Sequence, residues 1–477
     1  DDVGHDLLQA GMARYDRLIR RSSAPVVDSL RAIRMLRVVV LRAADVQLDS
    51  GTNYSYSLLV HAGNDIATIT AGSVYGALYG AETFAQLVDA DGFFAAASVV
   101  VRDEPQYKWR GLLIDSGRRF FPVPLVKNLL DTMSYVKMNV LHLHASDNCR
   151  FAIESKLYPQ LTASLTGDRG GFYTQADIKE IIAYAKQRGI RVVPEFDIPG
   201  HSRGLIPLES EGMKFCTSSS AIPSQLYNDP GNETYAILCK LFEEMAGLFE
   251  DKVFNIGCDE TRVQGSCTVE SMFELERKIA QTLVTKYGKT PEGWEEILYV
   301  EHAATQDTIV NAWSAHNASS ITNTGRRAVE SASAHFYFTD PAPAGSQGLS
   351  RCHYDIGFGV PCSQRHLLLG GEVSMWSDRY CNVNQCGAYH SPQPVGHVLF
   401  PPSADEAFAK SVGGMIWPRG YVAAASFWNF NASANASSPE FAEAVNRLND
   451  AVVARGSLVC PSQCSCDVLS ACGVPYL

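Results

Sequence analysis

After Trp109 the chain repeats one pattern: a short apolar run, a polar exit, then a stretch with helical spacing. Strand-like runs fall at residues 111–114, 139–143, 190–196, 253–256, 290–294, 308–313, 332–338 and 367–373. Helical stretches lie between several of them, for example 125–136, 175–187 and 234–249. Short apolar runs read as buried strands, and strands alternating with helices read as a parallel sheet. Eight such units over about 340 residues predict an α/β fold, a (β/α)8 TIM barrel. In a barrel of that kind the chemistry sits where strands end. Polar and aromatic residues gather there: Asp115 and Arg118, His142 through Asp147, Glu195 through His201, Asp259 and Glu260, Trp294, Trp313, Tyr337, and Trp376 with Asp378.

Residues 1 to 105 read as a separate α+β domain. Strands are expected at 37–41, 56–60 and 66–70, a helix at 73–88 capped by Ser73, and a last strand at 97–101. In that helix Val74, Leu78, Ala81, Phe84 and Leu87 recur at helical spacing. The catalytic barrel would span 106–455, and a Cys-rich tail, 456–477, would staple the C-terminus down. A chain of 477 residues exceeds one core and calls for such a division. A net charge of −11 argues against nucleic acid or an anionic membrane as partner. No apolar run reaches the roughly 18 residues of a membrane helix.

Thirteen cysteines set the compartment. Cys352 with Cys362, Cys381 with Cys386, and Cys460, Cys464, Cys466 and Cys472 are spaced for disulfides in an oxidising environment. The odd total leaves at least one thiol free or pairing between chains. Asn-x-Ser/Thr sequons stand at Asn53, Asn232, Asn317, Asn431 and Asn435. Together these features indicate a secretory-pathway glycoprotein, lysosomal, extracellular or at the cell surface. The polar start, Asp1-Asp2-Val3-Gly4-His5, fits a mature chain freed of its signal peptide.

The most demanding stretch is Val253-Phe-Asn-Ile-Gly-Cys-Asp-Glu260. An apolar strand ends here in two adjacent acids, and buried carboxylates must be paired or protonated. His142-Leu-His144 admits two readings. Residues i and i+2 of a strand share a face, so both imidazoles could hold a metal with Asp147. The favoured alternative is that they orient loops by hydrogen bonds, with Asp147 pairing to His201. His201 follows a rigid Pro-Gly turn. Trp294, Trp313 and Trp376 are three of six tryptophans, each at a strand end, and suit an apolar box or a sugar-stacking platform. Arg118 could grip a hydroxyl pair or a carboxylate, Asp378 included.

Taken together these residues resemble glycoside hydrolase family 20, the β-N-acetylhexosaminidases, and most closely the lysosomal and secreted eukaryotic type. In the small domain the likeness rests on Tyr56-Ser-Leu58 and on the run from Tyr75 to Leu87. In the barrel it rests on Arg110-Gly-Leu-Leu-Ile-Asp115, Lys137-Met-Asn-Val-Leu-His142, the run from Gly189 to His201, Asp259-Glu260, Gly371-Glu372 with Trp376, and Trp417-Pro-Arg419. The resemblance implies retaining, substrate-assisted removal of terminal GlcNAc or GalNAc through an oxazolinium intermediate, with no metal and no cofactor. It makes Glu260 the general acid and base, and Asp259 the residue that orients the 2-acetamido group. Asp147 and His201 would complete a triad with the acid. Trp294, Trp313 and Trp376 would box the N-acetyl methyl, Tyr337 would bond the acetamido oxygen, and Arg118 would grip sugar hydroxyls with Asp378 nearby. A Cys216–Cys267 bridge beside the site is also implied. The partners would be N-acetylhexosamine-terminated glycans or oligosaccharides, with a homodimer left open.

This sequence departs from the family at Leu143, where Trp is usual, at Asp378, where Glu is usual, and at Cys258, where Gly is usual. The acid expected after Tyr337 falls at Thr339 or Asp340. A sugar-binding protein without turnover and a metal-dependent barrel hydrolase are the competing functions; turnover of an aryl glycoside and chelator sensitivity separate them.

Overall fold

The computed structural model of the chain describes residues 2–20, 33–61, 63–88, 94, 98–165, 170–217, 224–263, 265–300, 303–339, 349–380, 405–430 and 438–458. Cys381, Cys386, Asn431, Asn435, Asp340 and residues 459–477 of the Cys-rich tail lie outside these residues.

Eight parallel strands close into a barrel: β5 (Trp109–Asp115), β6 (Val140–Ser146), β7 (Arg191–Ile198), β8 (Val253–Gly257), β9 (Thr290–Trp294), β10 (Ile309–Ala312), β11 (Arg327–Glu330) and β12 (Leu368–Met375). β12 pairs with β5 to complete the ring. Most of these strands are buried along their whole length, because helices cover the outside and side chains fill the inside. Helices α3 (Val123–Tyr135), α4 (Gln175–Lys186), α5 (Glu233–Leu248) and α6 (Val269–Thr285) supply part of that cover. Reciprocal capping boxes fix two helix starts, Thr174 with Asp177 and Thr268 with Ser271.

One expected strand is misplaced. Residues 332–338 do not form the seventh strand; Arg327–Glu330 does. That segment has only four residues and a charge at each end, so it carries little apolar signal. Its place comes from pairing with β10 and β12. Ser333–Phe336 instead makes one helical turn, and Tyr337 returns to bridge Ser374 of β12.

The small domain is a four-stranded sheet in the order β1 (Met35–Val40), β3 (Ile66–Ala71), β2 (Tyr56–Val60), β4 (Val99–Asp103). Helix α2 (Val74–Gln86) lies on it, with the Ser73 hydroxyl accepting from Gly76 N at 3.2 Å. A further helix, α1 (Asp2–Ile19), was not expected; it packs on α2 through Leu7, Leu8, Met12 and Tyr15. The domain is locked to the barrel floor by Arg110. Its guanidinium lies over Tyr54, Tyr79 and Trp428 and donates to the Tyr107 carbonyl at 2.6 Å.

Cys216 and Cys267 are joined by a disulfide. Cys352 and Cys362 are not joined to each other: Cys352 is buried in the core, whereas Cys362 opens a solvent-facing turn. Of the described sequons, Asn317 is exposed, while Asn53 and Asn232 are partly buried in hydrogen-bonded turns. Among the described residues no helix is long and apolar enough to cross a membrane.

Inside the barrel the side chains stack in layers. The floor is apolar: Trp109, Val140, Val193, Val253, Ile309, Val329 and Leu369. Two residues further along several strands the layer turns polar, with His142, Glu195, Asn255 and Asn311 joined by Glu292 and Glu372, all buried. Among the described residues neither Glu292 oxygen has a hydrogen-bond partner. Burial first, then Glu372 and Glu195, raise its pKa from about 4.5 to about 8. The unfolded chain releases this proton near pH 4.5 and the folded protein only near pH 8, so stability falls as pH rises through that window. Glu292→Gln should therefore raise the melting temperature progressively from pH 5 to pH 8; equal melting curves across that range would contradict the assignment.

Candidate active site

The site lies at the C-terminal ends of the strands. β5 ends in Asp115, whose carboxylate accepts from Arg118 N, from Arg118 Nη1 at 2.9 Å and from Ser377 N at 3.0 Å. Arg118 is thereby aimed across the mouth. Its Nη2 lies 2.9 Å from Asp147 Oδ2, its Nε 3.1 Å from Asp378 Oδ1, and its guanidinium over the Trp376 ring. The pairing with Asp378 thus coexists with two other carboxylates.

β6 delivers both histidines and Asp147. His142 Nδ1 is 2.8 Å from Glu372 Oε1, and its Nε2 is 3.1 Å from Glu195 Oε2. His144 Nδ1 is 2.6 Å from Glu195 Oε2, and its Nε2 is 2.9 Å from Asp147 Oδ2. Every ring nitrogen of the pair faces a carboxylate, which only accepts when ionised. Among the described residues the grouping spaced for a metal is His144, Asp147 and Asp197, and His142 is not part of it. Burial alone would lower both imidazoles. The carboxylates outweigh it, holding His142 well above its ordinary value and His144 at about 10. Burial would likewise raise Asp147, but Arg118 and His201 hold it well below the usual carboxylate range.

β7 runs into the turn that presents His201, whose φ of 49° is left-handed. His201 Nδ1 is 3.5 Å from Asp147 Oδ1, with Asn148 Nδ2 and Arg118 Nη2 also within 3.4 Å. On its other side Nε2 lies 3.3 Å from Glu260 Oε2 and 3.7 Å from Asp259 Oδ2. Burial lowers the His201 pKa, but the surrounding carboxylates, Asp147 foremost, carry it well above 6.5.

The loop after β8 uses three left-handed residues, Gly257 (φ 69°), Cys258 (φ 71°) and Glu260 (φ 49°). A β-carbon at Gly257 would lie 1.9 Å from Asp197 Oδ1, so glycine is required there. The loop leaves Asp259 partly buried and Glu260 exposed, both facing His201. Burial raises Asp259 above its usual range. Glu260 is held at about 2, first by its hydrogen bond with His201, with Arg262 adding its charge.

The three indoles converge. Trp294 and Trp376 pack with Leu113, and Trp313 and Tyr337 close against them. Ring centroids are 5.6 Å apart for Trp294 and Trp376, and 6.0 Å for both Trp313 with Tyr337 and Tyr337 with Trp376. Trp294 Nε1 donates to Glu195 Oε1 at 2.8 Å, and Trp313 Nε1 to Glu296 Oε2 at 3.0 Å. Burial keeps the Tyr337 hydroxyl protonated.

Several contributors escaped sequence reasoning. Asp197 is fully buried beside Asp259; burial, then Asp259, push it well above the usual carboxylate range. Its i+2 spacing from Glu195 was the available signal. Glu295 accepts the backbone N–H groups of Trp313, Ser314 and Ala315 and so holds the Trp313 loop. The two acids after Trp294 could have been marked for that task.

A closed parallel barrel with acids, an arginine and an aromatic recess at its mouth is glycosidase architecture, and this chain is a glycoside hydrolase. The family model described as "Glycosyl hydrolase family 20, catalytic domain" matches residues 107–387, and that described as "beta-acetyl hexosaminidase like" matches residues 9–87. The chain belongs to glycosyl hydrolase family 20. It is 32% identical over 419 residues to beta-hexosaminidase subunit A2 of Dictyostelium discoideum, covering 80% of this chain and 74% of that protein. It is 29% identical over 421 residues to the mouse (Mus musculus) beta-hexosaminidase subunit alpha, covering 81% and 72%. The structure of a Flavobacterium johnsoniae chitobiase aligns with a TM-score of 0.72 at 25% identity, over 94% of this chain and 68% of that one.

Asp147 anchors both Arg118 and His201, which gives its charge a measurable weight. A depressed carboxylate stabilises the fold above its unfolded pKa near 3.8, and that contribution is lost as pH falls through the folded value. Asp147→Asn should flatten the gain in stability between pH 2 and pH 4 and lower stability at pH 6 by about 3 kcal/mol, the cost of stranding buried cations. Urea titrations at several pH values check both.

Proposed function

We propose that this enzyme is a retaining exo-β-N-acetylhexosaminidase that removes terminal non-reducing GlcNAc or GalNAc by substrate-assisted catalysis. The observation that carries the reading is the approach of Asp259 and Glu260 to one imidazole nitrogen beside converging indoles. The recess between Trp294, Trp313 and Trp376 suits one N-acetyl methyl. Tyr337, a neutral hydroxyl, would donate to the acetamido oxygen and turn it toward the anomeric carbon. Intramolecular attack then replaces an enzyme nucleophile and gains from proximity. Asp259, whose burial makes it a better proton acceptor, would take the hydrogen bond of the acetamido N–H as positive charge develops.

Glu260 would protonate the glycosidic oxygen and later activate water against the oxazolinium. In the substrate-free protein the mobile proton of the His201–Glu260 couple resides on His201. A sugar bound over Glu260 desolvates the carboxylate and favours its protonated form. Arg118, fixed by Asp115 and Asp147, would hold sugar hydroxyls at the closed end, next to Asp378. Substrates would be N-acetylhexosamine-terminated glycans met in the secretory pathway, a setting supported by the Cys216–Cys267 bridge and the exposed Asn317 sequon.

Glu260→Gln should lower kcat on oligosaccharides by roughly 10²–10⁴-fold while sparing an aryl glycoside with a good leaving group. Proton NMR of wild-type turnover should show the β-anomer of the free sugar first. Unchanged oligosaccharide turnover in the variant, or first release of the α-anomer, would sink the mechanism.

A further inference from the structure

Both oxygens of Glu260 face cations. Oε2 lies 3.3 Å from His201 Nε2, and Oε1 lies 2.8 Å from Arg262 Nη2. An acid that protonates a leaving group must carry its proton on the oxygen turned toward that group. His201 ties Oε2 inward to the Asp147 side, so Oε1 is the outward oxygen, and the Arg262 guanidinium covers it. The Arg262 side chain is 69% exposed, against 41% for Glu260, so its head can swing into solvent. Its backbone stays in place, since its N–H donates to Oε1 of the buried Gln225 at 3.2 Å. Among the described residues, its guanidinium forms its ion pair with Glu260.

We propose that Arg262 is a specificity-determining residue on the leaving-group side: it moves from Glu260 onto an anionic substituent of the departing sugar, a carboxylate or sulfate, and so frees Oε1. The inference rests on the hexosaminidase reading above. A neutral aglycone offers the guanidinium only hydroxyls in exchange for a carboxylate. An anionic aglycone replaces one charge-assisted bond with another, and Arg presents the planar fork that such groups fit. With Arg262 moved onto the aglycone and the bound sugar desolvating the carboxylate, Oε1 takes a proton from solvent. That proton passes to the glycosidic oxygen as its bond to the anomeric carbon breaks and the acetamido oxygen bonds that carbon. The aglycone leaves as a neutral alcohol at the cleaved position, and Glu260, again a carboxylate, accepts a proton from the water that opens the oxazolinium.

The test compares kcat/KM for β-GlcNAc linked to glucuronate, to methyl glucuronate, and to glucose 6-sulfate, in wild type and Arg262→Gln at low and high salt. An aryl N-acetylglucosaminide serves as a separate check of hydrolysis. Wild type should favour the glucuronate over its methyl ester by roughly threefold to tenfold at low salt, with the margin shrinking as salt screens the pair. Arg262→Gln should bring the ratio near one. Equal gains for carboxylate and sulfate would mean that charge is read; a gain for carboxylate alone would mean that the planar fork is read, and either supports the proposal. A wild-type ratio of one, or a ratio that survives in Arg262→Gln, overturns it while leaving hexosaminidase activity intact. Failure to cleave even the aryl glycoside would instead overturn the underlying reading, and this proposal with it.

Discussion

A line of alternating imidazoles and carboxylates runs up the barrel axis, and the site hangs from it. Trp109 Nε1 donates to Glu372, His142 joins Glu372 to Glu195, His144 joins Glu195 to Asp147, and His201 carries the contact from Asp147 to Glu260. The line starts in the apolar floor and ends at the acid. Because each imidazole lies between two carboxylates, each member biases the protonation of the next. Burial opposes the charge on every histidine here, and pairing overrides it three times in succession. The two contacts of His201, 3.5 Å to Asp147 and 3.3 Å to Glu260, are the longest in the line.

The rest of the fold keeps that line straight. Strands β5 to β7 hold its members in register, with Asp115, His144 and Glu195 paired across neighbouring strands. Cover from helices and from the small domain excludes water from its lower half. The left-handed turn after β8 then lets two consecutive residues point at one nitrogen, which an extended strand, sending neighbours to opposite faces, could not do.

Much of this was legible in the chain. Apolar runs ending in polar residues placed seven of the eight barrel strands, because a parallel strand buried on both sides needs little besides apolar side chains. Arg327–Glu330 was hidden because its pairing partners, not its own residues, make it a strand. Helix α1 was overlooked although Leu7, Leu8, Met12 and Tyr15 carry helical spacing. The strand-end residues were visible by type. Their partners were less so: Glu195 and Asp197 stood out only as part of one strand-end stretch, and Glu292 read as an ordinary acid until the register turned it inward. Cys352 and Cys362 show the converse, since nearness in sequence did not bring buried and exposed sulfurs together.

Asp197 and Gly257 occupy each other's space. With Asp197 Oδ1 where a β-carbon of residue 257 would be, neither position can drift independently. A larger residue at 257 is tolerable only after Asp197 has shrunk or turned away, and that change takes from Asp259 the buried carboxyl beside it. The two positions form an epistatic pair: a side chain can enter at 257 only once residue 197 has already given up its carboxyl.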